Sequence, residues 1–477
     1  MDLYRKKVLV VGLGATGSAT AVFLKNRGAD VTVTDAARAE ELGPDVHEMR
    51  QRNIQLELGE HRRKSFETAD LVIISPGVPH TIAPISGARE SGIPVLGEVE
   101  LACRFIKEPI VAITGTNGKT TTTSLVGEML TQSGLEIFVG GNIGTPLIGY
   151  VDRDTKAQLV VAEISSFQLD TIDTFRPKVA VLLNIAEDHL DRYPDFDAYA
   201  RSKVRIFQNQ KRDDIAILNG ADPLIKKLTK DLKSHRLSFV KTSAADSGEK
   251  INGAVISDEN IAIQPGTVLE PNGGLEGKTL SAGGTVGIIN RSQILMAGDH
   301  NIENAAAAVL AALSGGGTFA GVKKALNTFP GLPHRLEYVG TIADVRYFND
   351  SKATNVAAVA GALDCFSEPV ILILGGRNKG GNFRALKGPI LNHVKQIIAI
   401  GEATNEIYES LGHLTTITAA ESMEAAVTDG EAAAAPGDVV LLSPACASFD
   451  MYDSYAQRGE DFRQAFKAHS RSSRDIE

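Results

Sequence analysis

Apolar runs recur along this chain, each closed by glycine, an acid or histidine, and stretches of helical period separate them. "KKVLVVGLGATGSATAVFLKNRGADVTVTD" predicts a strand, a glycine turn, a helix ending near Gly28 and a second strand from Val31 to Asp35, which together make a βαβ unit. "DLVIISPG" (Asp70 to Gly77) and "IPVLGE" (Ile93 to Glu98) read as further strands of the same doubly wound sheet, which ends near Gly97. A new unit starts at "EPIVAITGTNGKTTTTSLVGEMLTQSG", with a strand from Ile110 to Thr114, a loop, and a helix stopped at Gly134. "AQLVVAEISSFQL" and "PKVAVLLNIAEDHLD" are near-continuous apolar runs, as buried parallel strands are, and their carboxyl ends should line one crevice. From about Asp246 to Gly287 the chain turns rich in Gly, Pro, Asn and Ser, which predicts surface loops and antiparallel strands. "GDHNIENAAAAVLAAL" (Gly298 to Leu313) reads as a helix built on alanine. "FPGLPHR" (Phe329 to Arg335) reads as a linker and hinge, and "VILILGG", "QIIAIG" and "GDVVLLSPACAS" as three more buried strands.

The expected fold is therefore α/β in three domains, because 477 residues exceed what one compact core holds. The boundaries fall at 1–97 for a Rossmann-like domain, 98–331 for a central P-loop ATPase-like domain with a mostly parallel sheet, and 332–477 for a second Rossmann-like domain. Composition narrows the partners. At 43% hydrophobic and 22% charged residues the chain is an ordinary globular one, and no apolar run approaches the ~20 residues of a membrane span. A net charge of -9 gives no electrostatic reason to bind nucleic acid. Cys103, Cys365 and Cys446 lie far apart with no CxxC, which suits a reducing compartment. The basic head and apolar stretch at the start resemble a secretory leader, but the βαβ pattern accounts for them better.

Two glycine loops carry the candidate chemistry. Gly12, Gly14 and Gly17 form a full G-x-G-x-x-G turn, with Asp35 closing the next strand where a ribose-binding acid is expected; on residues alone this reads as a dinucleotide site, and NAD stays open there. The second loop is "GTNGKT". An ordinary P-loop would have glycine at position 113, where this chain has Ile113, so the loop is two residues short. It still has every chemical part. Gly115 and Gly118 free the backbone N–H groups for phosphate, Lys119 brings positive charge, and Thr120 offers a hydroxyl to Mg²⁺. Glu163 and His189 sit at strand ends where magnesium ligands belong.

"GTNGKTTT", "GGNIGTPL", "AEISSFQLD", "NIAEDHLDRY", "GDHNIENAAAA", "PHRLE", "NDSKATN" and "SPACASFDMYDSYAQRGEDF" strongly resemble the Mur ligases of peptidoglycan synthesis, a resemblance that runs in order from Gly12 to Phe462. The short loop is then that family's own phosphate loop. "SSFQL", "NDSKATN" and "SPACASFD" point within the family to D-glutamate addition. The resemblance implies an ATP-dependent ligase of the bacterial cytoplasm, acting as a monomer on UDP-N-acetylmuramoyl-L-alanine, D-glutamate and ATP with two Mg²⁺ ions. It also implies roles for particular residues. Gly115, Thr116, Asn117, Gly118, Lys119, Thr120 and Thr121 would hold the ATP phosphates, with Asn142 beside the γ-phosphate; Thr120, Glu163 and His189 would serve the metals. Lys203 would carry a carbamate, which turns a cation into an oxygen ligand.

Asn301, Asn304, Arg335 and Asp350 would contact adenine and ribose. Lys352, Thr354, Lys379, Ser448 and Tyr455 would hold phosphate and the acceptor's carboxylates. Ala15, Thr16, Gly17 and Asp35, with a wall of Ser75, Pro76 and Gly77, would receive the UDP-sugar. Arg377 and Asn378 replace the Asp-Gly of some members, and Tyr455 replaces Phe, which bears on acceptor selectivity. Readings left open are a sibling that adds L-glutamate, to this substrate or to a folate, an NAD-dependent oxidoreductase, and an inactive nucleotide sensor.

Overall fold

The computed structural model describes residues 1–154, 156–189, 192–241, 251–264, 287–296 and 298–474. They form three sheets, grouped into two compact units: one comprises residues 1–185, 192–293 and 303–327, the other 186–191, 294–302 and 328–477.

The first sheet runs in the order Gln55–Leu58, Asp30–Asp35, Lys7–Val11, Leu71–Ile74, Val95–Gly97, all parallel. The strand order reverses between Lys7–Val11 and Leu71–Ile74, which is where an open α/β sheet forms a crevice at its carboxyl edge. The glycine turn opens there. A Cβ on Gly17 would sit 1.8 Å from the Gly12 carbonyl oxygen, so only glycine lets the helix Ala15–Asn26 start this close to the strand. The "IPVLGE" run is shorter as a strand than the sequence predicts: Val95–Gly97 pairs, and Glu98 already begins the helix Glu98–Cys103.

The second sheet has nine strands. Its parallel part runs His235–Lys241, Ile215–Asn219, Val179–Leu182, Ile110–Thr114, Leu159–Glu163, Ile137–Gly141. The strands Val179–Leu182, Ile110–Thr114 and Leu159–Glu163 are wholly buried, as their unbroken apolar runs require. Gly253–Ile256 pairs parallel with His235–Lys241 and starts an antiparallel extension through Asn260–Ile263 to Gly287–Asn290. These are the antiparallel strands expected near 246–287. The remainder of that expectation, at 246–250 and 265–286, lies outside the described residues.

The third sheet, in the second unit, runs Glu337–Ile342, Val345–Asn349, Val439–Ala445, Val370–Gly375, Val394–Ile400, Thr416–Ala420. Its first two strands form an antiparallel hairpin that the apolar pattern did not reveal, and the rest are parallel. Among the described residues no helix is long and apolar enough to cross a membrane.

Candidate active site

The first unit gathers the candidate phosphate-site residues at the carboxyl edge of the central sheet. Gly118 is left-handed (φ 80°) and opens the helix Lys119–Gln132 without a side-chain cap, leaving that N-terminus open to an anion. A Cβ there would lie 2.2 Å from Asn304 Oδ1, so the Asn304 amide packs directly on the loop. Lys119 Nζ donates to the carbonyls of Gly115 and Thr116, both at 2.8 Å.

The loop is held from below by a residue the sequence reading missed. Asn184 Oδ1 accepts from the backbone N–H of Thr116 at 3.1 Å and of Asn117 at 2.8 Å, and Asn184 Nδ2 donates back to the Asn117 carbonyl at 3.1 Å. Thr116 Oγ1 also bonds the hydroxyl of buried Tyr199 at 3.1 Å. The available signal was position: Asn184 follows the strand Val179–Leu182, which neighbours the loop's own strand.

Glu163 ends the strand on the loop's other side, opposite Ile113, and is 1% exposed. Its Oε1 accepts from Asn142 Nδ2 at 2.8 Å, while Oε2 is buried with no hydrogen-bond partner among the described residues. A buried carboxylate oxygen in that condition is costly unless a cation or donor meets it. This donor set fits Mg²⁺, which takes few protein oxygens and keeps water. No cage of three or more His, Cys, Asp or Glu side chains exists among the described residues. Lys203 is 1% exposed, donates from Nζ to the Gly115 carbonyl at 2.7 Å and lies 4.6 Å above the Tyr199 ring. The structure thus gathers the 115–121 loop, Asn142, Glu163, Lys203 and Asn304 in one place.

The glycine turn of the first domain is braced by Asp35, whose Oδ2 accepts from the Leu13 N–H at 2.7 Å and Oδ1 from the Ala37 N–H at 2.8 Å. Ser75 Oγ donates to the Gly12 carbonyl at 3.0 Å, and a Cβ on Gly17 would lie 3.0 Å from that Oγ, so Gly17 sits against Ser75; Ala15 and Thr16 precede it in the first turn of the helix. Below it opens a cleft lined by Ser75, Pro76, Glu98, Phe167, Thr171 and Arg192. Arg192 donates to the Gly77 carbonyl at 3.1 Å and lies 4.4 Å above the Phe167 ring.

In the second unit, three neighbouring strand ends carry the remaining candidates. Lys352 Nζ donates to the Tyr455 hydroxyl at 3.0 Å and sits 4.5 Å above its ring. Ser351 Oγ donates to the Tyr455 carbonyl at 2.8 Å. Buried Arg458, also missed in the sequence, ties the segments together: Nε donates to Ser351 Oγ at 3.0 Å, and Nη2 to the carbonyls of Ser351 at 2.8 Å and Cys446 at 3.1 Å, next to Ser448. Those partners are neutral, and burial pushes its guanidinium down to about 10, still protonated at neutral pH. Lys379 is exposed and Thr354 half-buried. Their loop neighbours are pinned, Arg377 on Glu402 (2.8 Å) and Asn378 on Glu406 (2.8 Å). His189, with φ 55°, belongs to this unit and has its Nε2 3.7 Å from Asp188 Oδ2. Asn301 is buried in the same unit, and Arg335 lies close enough to bear on the charge of both His300 and Asp350.

Asp350 accepts from Ser443 Oγ at 2.8 Å and from the Leu336 N–H at 3.2 Å, and burial nonetheless pushes its carboxyl up to about 7. A carboxyl raised in the folded state contributes stability that is fully present below its unfolded value near 4 and is lost as the pH rises through about 7. Asp350→Asn should therefore stabilise the unliganded protein, relative to wild type, by a few kcal/mol more at pH 8 than at pH 4. Denaturant titrations at the two pH values read this; an unchanged difference would mean that Asp350 is ionised throughout.

Comparison with known proteins settles the lineage. The family descriptions "Mur ligase MurD-like, N-terminal domain", "Mur ligase middle domain" and "Mur ligase, glutamate ligase domain" match residues 6–97, 113–312 and 334–446. A protein of Desulfosudis oleivorans named "UDP-N-acetylmuramoylalanine--D-glutamate ligase" is 50% identical over 98% of this chain and 97% of its own length. The chain belongs to the Mur ligase family. A relative of the same name from Desulfatibacillum aliphaticivorans is 48% identical over 98% of this chain and 99% of its own. Among solved structures, a pseudomurein peptide ligase type C from Methanothermus fervidus superposes with a TM-score of 0.60 at 19% identity, covering 97% of this chain and all of that one (100%). The UDP-N-acetylmuramate-alanine ligase of Thermotoga maritima gives 0.57 at 19% identity, covering 98% and 100% of the two chains. At that identity these two establish the fold. In this Mur ligase the "SSFQL" segment is a capping box: Ser165 Oγ accepts from the Gln168 N–H, and Gln168 Oε1 from the Ser165 N–H at 2.8 Å, which fixes the short helix Ser166–Leu169 on the cleft wall.

Proposed function

We propose that this protein is the ATP-dependent ligase that joins D-glutamate to UDP-N-acetylmuramoyl-L-alanine in peptidoglycan precursor synthesis. The observation that carries the reading is identity of 50% along 98% of the chain to a relative bearing that name. The phosphate site supplies the chemistry. A carboxylate is a poor acyl donor; attack of the alanyl carboxylate on the γ-phosphorus of ATP gives an acyl phosphate and ADP, and the D-glutamate amine then displaces phosphate to form the amide. Lys119, the N-terminus of its helix and Asn142 stabilise the charge that moves during transfer. Thr120, Glu163, His189 and a carbamate form of Lys203 would hold the Mg²⁺ ions, two by this reading, which would supply positive charge to neutralise phosphate oxygens.

Asn301, Asn304, Arg335 and Asp350 take the adenosine. Lys352, Thr354, Lys379, Ser448 and Tyr455 take the acceptor, whose two carboxylates suit paired lysines and hydroxyls. Ala15, Thr16, Gly17, Asp35 and Ser75 to Gly77 take the UDP end. The boundaries 1–97, 98–331 and 332–477 divide these tasks, and the enzyme acts as a monomer in the bacterial cytoplasm.

Phosphate release from ATP tests the reading, with UDP-N-acetylmuramoyl-L-alanine and Mg²⁺ present and D-glutamate, L-glutamate or no amino acid added. Release should require both substrates and favour D-glutamate. Release that is indifferent to the amino acid, or that needs a different acceptor, would overturn it.

A further inference from the structure

Glu98 is used by nothing above. It stands at the start of the helix Glu98–Cys103, 2% exposed, and lines the cleft beneath Ser75 and Pro76. Its Oε1 accepts from the Ile148 N–H at 2.6 Å. Its Oε2 is buried with no hydrogen-bond partner among the described residues, although the Leu147 N–H, like that of Ile148, acts on the carboxylate and favours its ionised form. The cation in the cleft, Arg192, is spent on the Gly77 carbonyl and the Phe167 ring. A folded protein seldom leaves a buried acceptor unsatisfied without a use for it.

Position suggests the use. Ser75, which lines the cleft, bonds the Gly12 carbonyl of the glycine turn, whose helix N-terminus suits a diphosphate. Glu98, on the cleft wall, is bonded to Ile148, which follows the "GGNIGTPL" segment that carries Asn142. A UDP-sugar with its diphosphate at the turn and its acyl end at Asn142 must lay its sugar between them. We propose that Glu98 is a substrate-positioning residue whose free oxygen accepts a hydrogen bond from a hydroxyl or amide N–H of the sugar portion of the UDP-sugar. This rests on the ligase reading. It adds a residue that sorts substrates by the sugar, and not by the nucleotide. Burial pushes the Glu98 carboxyl up to about 7, against the opposing pull of the Ile148 and Leu147 N–H groups.

Glu98→Gln keeps the oxygen that bonds Ile148 and replaces the free acceptor with a donor. Calorimetric titration of this variant should show UDP-N-acetylmuramoyl-L-alanine binding about tenfold more weakly, with UDP alone unchanged, and steady-state assays should find KM for ATP and D-glutamate within about twofold of wild type. If Glu98→Gln does not fold, Glu98→Asp keeps the charge one methylene short and should show a loss of about threefold with the same selectivity. Unchanged sugar-nucleotide binding in a folded variant, or an equal loss for UDP, overturns the assignment while leaving the ligase intact. A wild-type protein that does not turn over this substrate overturns both.

Discussion

Lys119→Ala is expected to give a folded protein that releases phosphate at least about a thousandfold more slowly than wild type, the scale seen when one preorganised cation or donor is removed from a phosphoryl-transfer site. The fold should survive because the loop has supports besides the lysine: Asn184 holds the Thr116 and Asn117 N–H groups, and Asn304 packs on Gly118. What the variant loses is a half-buried ammonium already resting at 2.8 Å on the Gly115 and Thr116 carbonyls. The deficit should lie mainly in kcat, since charge on the transferring phosphoryl group is met most strongly in the transition state. Thermal melting would confirm the fold, and single-turnover measurements would locate the defect. Activity within tenfold of wild type would remove Lys119 from the chemistry.

The second large effect concerns Lys203. A lysine that is 1% exposed and bonded to a loop carbonyl could be purely structural, and Lys203→Met would then cost stability and little else. In the reading above, its neutral amine adds CO₂, loses a proton and becomes a carbamate; one N–H remains for the Gly115 carbonyl, and two oxygens become available to the metal. Two results should follow. Lys203→Met should lose about a hundredfold or more in rate while staying folded. Wild-type enzyme stripped of CO₂ should lose activity and regain it with bicarbonate. Indifference to CO₂, with Lys203→Met still near full rate, would sink the carbamate.

The parts of this protein that were legible in its sequence share a cause. Buried parallel strands must be apolar throughout, so Ile110–Thr114, Leu159–Glu163 and Val179–Leu182 announced themselves, and the polar residues ending them became candidates by position. The glycine loops were legible because few residue types tolerate their conformation. What was hidden depended on which strand lies beside which. Asn184 has meaning only once Val179–Leu182 is known to neighbour Ile110–Thr114. Arg458 lies 107 positions from Ser351, and no local pattern joins them. Glu98 was read as the tail of a strand; its burial and its bond to Ile148 are properties of the packed helix.

Arg458 also bears on how acceptor choice can be altered. Because one buried guanidinium fastens Ser351, Cys446 and the helix Tyr455–Arg474 to one another, the segment after Asn349, the segment after Ala445 and that helix behave as a single inheritable cassette. Transplanting either segment alone from a sibling of different amino-acid preference would strand a buried charge. A chimera that exchanges all three together keeps it satisfied, and recombination within the family is expected to find its viable crossovers before the strand Val345–Asn349, not within the region that follows.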